Sequence, residues 1–474
     1  MMFTTAQEIL KEIHALGYEA YIVGGAVRDF IMHEPVRDID IAANTPLEVL
    51  KENFHFIQDI SKNMDIGVYL IEKNGFKFEI AHFRSHGLSK NRQTAPINAV
   101  RTFKEDTAQR DFTINAMGID YQGNIIDFFG GRNDIQNKII RTVGCAFDRF
   151  GEDFIRILRA VRFAARYEFS FDDATAEAIS LCGECLLQTA PERIQAELEK
   201  MASEGGKSFA KAIELMQELN ILHVILPEIA VLFDLPHSGK HHPEGLCKNY
   251  HCELYAEYTK NNAFCKNCKH GFNSVGKHVL ETLRICSSTD TYQLFALLFH
   301  DIGKGTSYQL RKKQGELVHT YYKHDTASEP LIRTAAARLK WSHKLTDIVL
   351  FCAQKHMILH DALNLKGYTL LALMENPYFA YLVETSYCDS KSRGERFNRT
   401  EWDTILKYIE NFRNTIFLFS KNITGKRIME VTGLNQGIRL GNVLKATQKH
   451  AANHKILDLE ALDNIIRFYA KCFK

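Results

Sequence analysis

Two carboxylates, Asp38 and Asp40, stand two residues apart in the segment RDIDIA. Alternation along a strand points both side chains to one face. Adjacent negative charges repel unless a cation neutralises them, and hard carboxylate oxygens suit magnesium. A third acid, Glu79, interrupts the run FKFEIAHF, with Phe76, Phe78 and Ile80 on one face and Glu79 on the other. Three acids on neighbouring strands would hold two magnesium ions, which activate a 3′-hydroxyl and stabilise a departing pyrophosphate. The alternative is a solvated acidic strand face. Upstream, Tyr21–Val23 runs into Gly24-Gly25 and an amphipathic stretch from Ala26. Glycines at a strand-to-helix turn let a ligand approach the backbone, and a helix N-terminus favours phosphate. Alone, that pattern is equally an ordinary turn.

Further along, Glu152, Asp153 and Arg156 form an EDxxR motif, read as a helix start whose acids complement the helix dipole. Arg156, Arg159, Arg162 and Arg166 recur at spacings of 3, 3 and 4, giving one basic helix stripe. Residues 130–166 hold eight Lys/Arg against four Asp/Glu. That excess fits a local polyanion surface, or simply a solvated amphipathic helix.

GGAVRD, DID and QRDFTINAM resemble the class II tRNA nucleotidyltransferase (CCA-adding) and bacterial poly(A) polymerase family. The resemblance implies a polymerase-β-like nucleotidyltransferase head. Gly24, Gly25 and Arg28 would hold the triphosphate, Asp38 and Asp40 the metal, and Glu79 the third acid position before a basic loop at 85–101. Arg110, Asp111 and Asn115 match the motif that orients the incoming ribose. The family usually has two arginines before that aspartate, whereas this chain has Gln109-Arg110-Asp111. IIDFFGGRNDIQNKIIRTVG resembles the family's hinge, and PERIQAELEKM its next helix. By resemblance, Glu152, Asp153, Arg156, Arg159 and Arg162 would bind nucleotide. Asp153 would accept from the exocyclic amino group of the base and Arg156 would donate to its ring acceptors. That would select CTP or ATP without a nucleic-acid template. Ile423–Leu444 resembles the family's C-terminal segment, with Lys426, Arg427 and Arg439 near RNA phosphates.

A second constellation lies downstream. His300-Asp301 ends an apolar helix, His278 precedes it, and His324, His356 and Asp389 follow. Neutral imidazoles with an aspartate suit transition metals. His278, His300-Asp301 and Asp389 resemble the HD phosphohydrolase superfamily, with His324 and His356 completing a second metal position. The alternative is a degenerate fold with structural histidines. Cys247, Cys252, Cys265 and Cys268 fall within 22 residues as C-x4-C-x12-C-x2-C, resembling a zinc ribbon or knuckle. His251 and His270 are substitute ligands there. Cys182 and Cys185 form a lone CxxC read as buried thiols. GFNSVGKH, from Gly271 to His278, nearly fits a P-loop, but a histidine replaces the Ser/Thr and no apolar strand precedes it.

These residues need elements to position them. The 474 residues suggest about three domains. With 45% hydrophobic and 24% charged residues the chain is globular, excluding disorder and collagen. No apolar run approaches the ~20 residues of a membrane span, and the N-terminus lacks an apolar signal core, so the reading is soluble and cytoplasmic. A formal charge of +2 confines any nucleic-acid surface to a patch. Eleven cysteines without a secretion signal fit thiols or metal ligands better than disulfides. Helix-like Thr4–Leu16 precedes strand-like Ala20–Val23, Ile39–Ala42, Gly67–Glu72 and Phe76–Phe83. Beyond about Phe147 the period is helical. The predicted fold is α+β. It comprises a head with a small mixed sheet (1–145), a helical neck (146–235), a Cys/His-rich insertion (236–274), a helical HD-type body (275–415) and a helical tail (416–474).

The leading expectation is CCA addition to tRNA from CTP and ATP, with Mg2+, Zn2+ in the insertion and a transition metal in the HD site. Its rivals are a poly(A) polymerase, a CC-only or A-only enzyme, an HD-domain metal phosphohydrolase with an RNA-binding head, and an RNA-binding scaffold.

Overall fold

A computed structural model describes residues 1–36, 38–59, 67–83, 102–236, 274–313, 316–394, 397–417, 419 and 423–473. The predicted zinc ligands Cys247, Cys252, Cys265 and Cys268, and the basic loop at 85–101, lie outside these residues. The chain divides into two units, one of residues 1–200 and 215–225, the other of 201–214 and 226–474.

The first unit opens with α1 (Met2–Ala15), which buries Ala6, Ile9, Leu10 and Ile13 at helical period. They join Ile22, Ile41, Ile71, Phe78, Ile80 and Met117 in one core. Seven strands lie over it: β1 (Ala20–Val23), β2 (Asp40–Ala43), β3 (His55–Asp59), β4 (Val68–Lys73), β5 (Phe76–His82), β6 (Met117–Ile119) and β7 (Ile125–Asp127). Their order is β3-β4-β5-β2-β1-β6-β7. Only β2 and β5 run parallel, so the sheet is mixed as expected. α2 (Gly25–Ile31) follows β1, and α3 (Phe103–Ala108) starts at a Thr102–Glu105 capping box. α4 (Ala146–Glu152), α5 (Ile155–Tyr167), α6 (Asp173–Cys182) and α7 (Pro191–Ser203) make the neck.

The second unit contains α8 (Val275–Ile285), α9 (Thr291–Phe299), β8 (Tyr308–Lys313), β9 (Glu316–Tyr321), α10 (His324–Leu339), α11 (His343–Lys355), α12 (Gly367–Glu375), α13 (Phe379–Lys391) and α14 (Arg399–Phe412). The tail adds α15 (Gly425–Thr432), α16 (Ile438–His454) and α17 (Leu459–Cys472). The apolar helix α9 is buried over Gln293–Phe299, which fixes the position of His300 at its C-cap.

Three readings change. The body is not purely helical, because β8 and β9 pair as an antiparallel hairpin. EDxxR is not a helix start: Glu152 ends α4, and Asp153 (φ −161°, ψ 104°) breaks the chain before α5. The acids therefore do not sit in one N-terminal turn. Cys182 and Cys185 are half-buried rather than buried, because α6 tightens at Gly183 into a 3-10 turn. Among the described residues, no helix is long and apolar enough to cross a membrane.

Candidate active site and metal cluster

Strand register sets the acids. Asp40 pairs with Glu79 across the parallel β2–β5 contact, and with Val23 of β1 on its other side. Ile39, Ile41, Phe78 and Ile80 are buried while Asp38, Asp40 and Glu79 are exposed, so alternation turns all three carboxylates to the face opposite the core. Desolvation, then Glu79 and Asp38, push the Asp40 carboxyl above its ordinary range, against the opposing pull of Arg110. A carboxylate strained in this way is relieved by a cation. Three hard oxygen donors side by side fit magnesium.

Asp40 opens onto a cleft of about 650 Å³ lined by eight cationic side chains and four carboxylates. Gly24 and Gly25 form one lip. Gly24 has φ +71° and ψ −135°, a conformation that favours glycine, and it caps α2 at the edge of the cleft. Arg28 is buried behind it. Its guanidinium donates to Asn115 Oδ1 at 2.7 Å and to Asp29, and lies against Tyr167 at 4.8 Å. Arg28 therefore holds the glycine turn to Asn115 more than it reaches into solvent.

Asp111 is the anchor of the next layer. Arg159 donates to its Oδ2 through Nε at 2.8 Å and Nη2 at 2.6 Å. The Phe112 amide and Asn115 Nδ2 donate to Oδ1. Burial alone would raise this carboxyl, but Arg159 and these hydrogen bonds outweigh it and hold it below its ordinary range. Arg110 is clamped by Asp106 at 2.9 Å, with Nη1 turned to the Asn115 carbonyl.

The neck supplies the far wall. Asp153 takes a bidentate contact from Arg193, at 3.0 and 2.7 Å, and its Oδ1 also accepts the Ile155 amide at 3.3 Å. Burial would raise it, but Arg193 and that amide prevail, so it is held ionised below its usual range. Arg156 donates to the Arg149 carbonyl and to Glu152. Glu152 also takes Arg149 at 2.9 Å and does not line the cleft; it props two arginines. Arg162 pairs with the largely buried Glu197 at 2.9 Å and stacks on Phe163. Arg193 lies in PERIQAELEKM, a segment to which the sequence assigned no site residue, and Tyr167 had no motif to mark it. Their signal is only that PERIQ and ARYEF lie beside basic helices.

These segments have relatives. Residues 20–141 match the poly A polymerase head domain, and residues 168–233 match the probable RNA and SrmB-binding site of polymerase A. A CCA-adding enzyme of Lactobacillus delbrueckii subsp. bulgaricus is 39% identical over 202 residues, covering 42% of this chain and 50% of the relative. One from Anoxybacillus flavithermus is 38% identical over 230 residues, covering 48% and 56%. The chain spans about half the length of the curated relatives it matches. In fold it is similar to the Bacillus stearothermophilus CCA-adding enzyme in complex with CTP, with a TM-score of 0.66 and 22% identity over 99% of this chain and 98% of that one. The Thermotoga maritima CCA-adding enzyme complexed with tRNA gives 0.55 at 19% identity over 98% and 95%. This likeness establishes the polymerase-head fold with helical neck, body and tail.

In the second unit, the sequence-predicted ligands converge. His278 Nε2 lies 3.5 Å from Asp301 and 3.0 Å from Asp389, and His300 Nε2 lies 3.4 Å from Asp301. On the other side, His324 and His356 Nε2 face Asp301 Oδ1 at 3.5 and 3.6 Å. Asp301 thus stands between two donor groups, His278–His300 and His324–His356. His300 Nε2 and Asp301 Oδ1 are buried without a hydrogen-bond partner, the arrangement expected where a metal ion completes the set. Burial and nearby His300 lower His356 to about 3, and burial lowers His324 as well, so both are neutral imidazoles ready to ligate. Burial would raise Asp301, but Lys304 and His300 hold it ionised well below its usual range. The nitrogen-rich set with one shared carboxylate fits transition metals. His360, which no motif marked, backs Asp389 at 3.1 Å, and Lys304 binds Asp301 at 2.5 Å. In the tail, Arg427 is engaged by Asp463 at 2.7 Å, and Arg439 donates to the Ala470 carbonyl.

Proposed function

We propose that this chain is a tRNA nucleotidyltransferase that adds CCA to tRNA 3′ ends from CTP and ATP without a nucleic-acid template. The observation that carries the reading is one cleft uniting Asp40, the Gly24–Gly25 turn, the Arg110–Asp111–Asn115 group and the Asp153–Arg156 edge. The 37–39% identity to CCA-adding enzymes over 200–202 residues supports it, as do fold relatives solved with CTP and with tRNA.

Asp38, Asp40 and Glu79 would hold magnesium, which supplies charge stabilisation at the attacking and leaving oxygens. The chain's own residues do the rest. The Gly24–Gly25 amides and the surrounding arginines bind the triphosphate. Asp111, fixed by Arg159, accepts from the ribose. Asp153 accepts from the exocyclic amino group of cytosine or adenine, and Arg156 donates to the ring. In-line attack by the tRNA 3′-hydroxyl on the α-phosphate forms the phosphodiester and releases pyrophosphate. The site of action is the cytoplasm. Incubation with tRNA lacking its 3′ end, and with CTP and ATP singly and together, tests this. A three-nucleotide extension requiring both is expected. Long adenylate tails would identify a poly(A) polymerase, and extension stopping at CC or needing only ATP a partial enzyme.

The orphaned buried atoms of the second unit favour an additional reading: a transition-metal HD phosphohydrolase site acting on phosphate esters or cyclic phosphates. We also infer a zinc site at Cys247, Cys252, Cys265 and Cys268, tested by metal analysis of Cys265→Ser/Cys268→Ser.

A further inference from the structure

The second unit holds a cluster that none of these functions uses. Cys388 and Glu384 sit one helical turn apart on α13, so their side chains share a face. Cys286, the C-cap of α8, meets them from the neighbouring helix. Glu384 Oε1 lies 3.5 Å from Cys388 Sγ and 3.9 Å from Cys286 Sγ, and all three donor atoms fall within 4.8 Å of one another. Both thiols are buried, at 0% and 3% exposure, while Glu384 is half-buried.

We propose that Cys286, Glu384 and Cys388 form a thiolate–carboxylate site for a borderline-soft divalent cation of the zinc class. Geometry supports it. With zinc–sulfur near 2.3 Å and zinc–oxygen near 2.0 Å, a tetrahedral ion separates sulfur from oxygen by about 3.5 Å. The Cys388–Glu384 spacing meets that value, and the Cys286 spacing exceeds it by a few tenths of an ångström. Electrostatics support it too. The C-terminal end of α8 presents the negative end of the helix dipole, which favours a cation. Two thiolates and a carboxylate select zinc over magnesium or calcium, which prefer all-oxygen sets. The half-exposed Glu384 side leaves the fourth position open to water.

The site is separate from the histidine cluster but braces the same helices. His278 lies eight residues before Cys286 on α8, and Asp389 follows Cys388 on α13. It depends on neither the nucleotidyltransferase reading nor the HD reading.

The test uses the full chain with Cys247, Cys252, Cys265 and Cys268 changed to Ser, so that insertion thiols do not contribute. Cobalt(II) added to this protein is expected to give a sulfur-to-cobalt charge-transfer band. Adding Cys286→Ser and Cys388→Ser should remove the band and lower the zinc content by one ion per chain. Glu384→Gln should keep the band and weaken cobalt binding at least tenfold, and Glu384→Asp should restore part of it. Because the starting protein keeps both thiols, a misfolded cysteine variant would not mask a positive result. Absence of the band overturns the proposal. So does equal alkylation of Cys286 and Cys388 with and without zinc, or a Cys286–Cys388 disulfide found by mass spectrometry in protein purified under air.

Discussion

Base choice should reside in one carboxylate whose hydrogen-bonding capacity is nearly full. An ionised carboxylate offers about four acceptor positions. For Asp153, Arg193 fills two and the Ile155 amide a third. One remains, suited to the amino group of cytosine or adenine. Uracil and guanine would put a carbonyl there, so two acceptors would face each other. Such a mispaired contact costs about 1–3 kcal/mol, or about 5- to 150-fold in rate. Asp153→Ala should narrow discrimination against UTP within that range while slowing CTP addition. Asp153→Asn offers an N–H in place of an acceptor and should shift preference further towards UTP. Arg193→Ala should give an intermediate loss, because only the Ile155 amide would still orient the carboxylate. Its effect on stability should stay within about 1 kcal/mol, since the Arg193 side chain is half exposed. Arg156→Ala should weaken both correct nucleotides, through loss of the donor to the ring. The assay is single-turnover addition of each nucleotide to one trimmed tRNA. If Asp153→Asn keeps the parent's CTP:UTP ratio, Asp153 does not read the base.

Asp40→Asn should abolish addition. It should also raise the melting temperature of chelator-treated protein at pH 7, because the folded state raises the Asp40 carboxyl and so disfavours its charge; this gain shrinks as pH falls towards about 4. A lower melting temperature at pH 7 would contradict the strained-carboxylate account. His300→Ala should reduce bound transition metal and any phosphoesterase activity while leaving nucleotide addition largely intact; loss of addition in a folded variant would refute two separate sites. Gly24→Ala forces an L-residue into φ +71° and should destabilise by about 1–3 kcal/mol, read as a denaturant midpoint shift. An unchanged midpoint would show that the turn relaxes.

Much of this was legible in the residues, and the failures have physical causes. Ala20–Val23 appears with the expected bounds, because a short apolar run ended by Gly leaves few alternatives. The chemistry-bearing acids were legible because alternation alone decides their face. Glu152 was misread because a motif does not reveal the backbone break at Asp153. Arg193 escaped notice because its partner lies 40 residues away, and sequence spacing carries no sign of such a pairing. The β8–β9 hairpin was missed among helical patterns, although Gly315 punctuates two runs of strand-forming residues. The orphaned atoms around Asp301 and the Cys286–Glu384–Cys388 group arise only when distant helices pack.

The parallel pairing of β2 with β5 has a bearing on how this sequence can change over time. Acid and core side chains alternate on both strands, and Asp40 faces Glu79 in fixed register. Substitutions at single positions can be absorbed one by one. Insertion or deletion of one residue between Asp40 and Ala43 cannot: it would exchange the faces of one end of β2, turning Ile41 out of the core or the Asp40 carboxylate into it. Length variation among descendants of this gene should therefore be excluded from that segment. It should collect where no strand's face depends on the count, as in the link between α16 and α17.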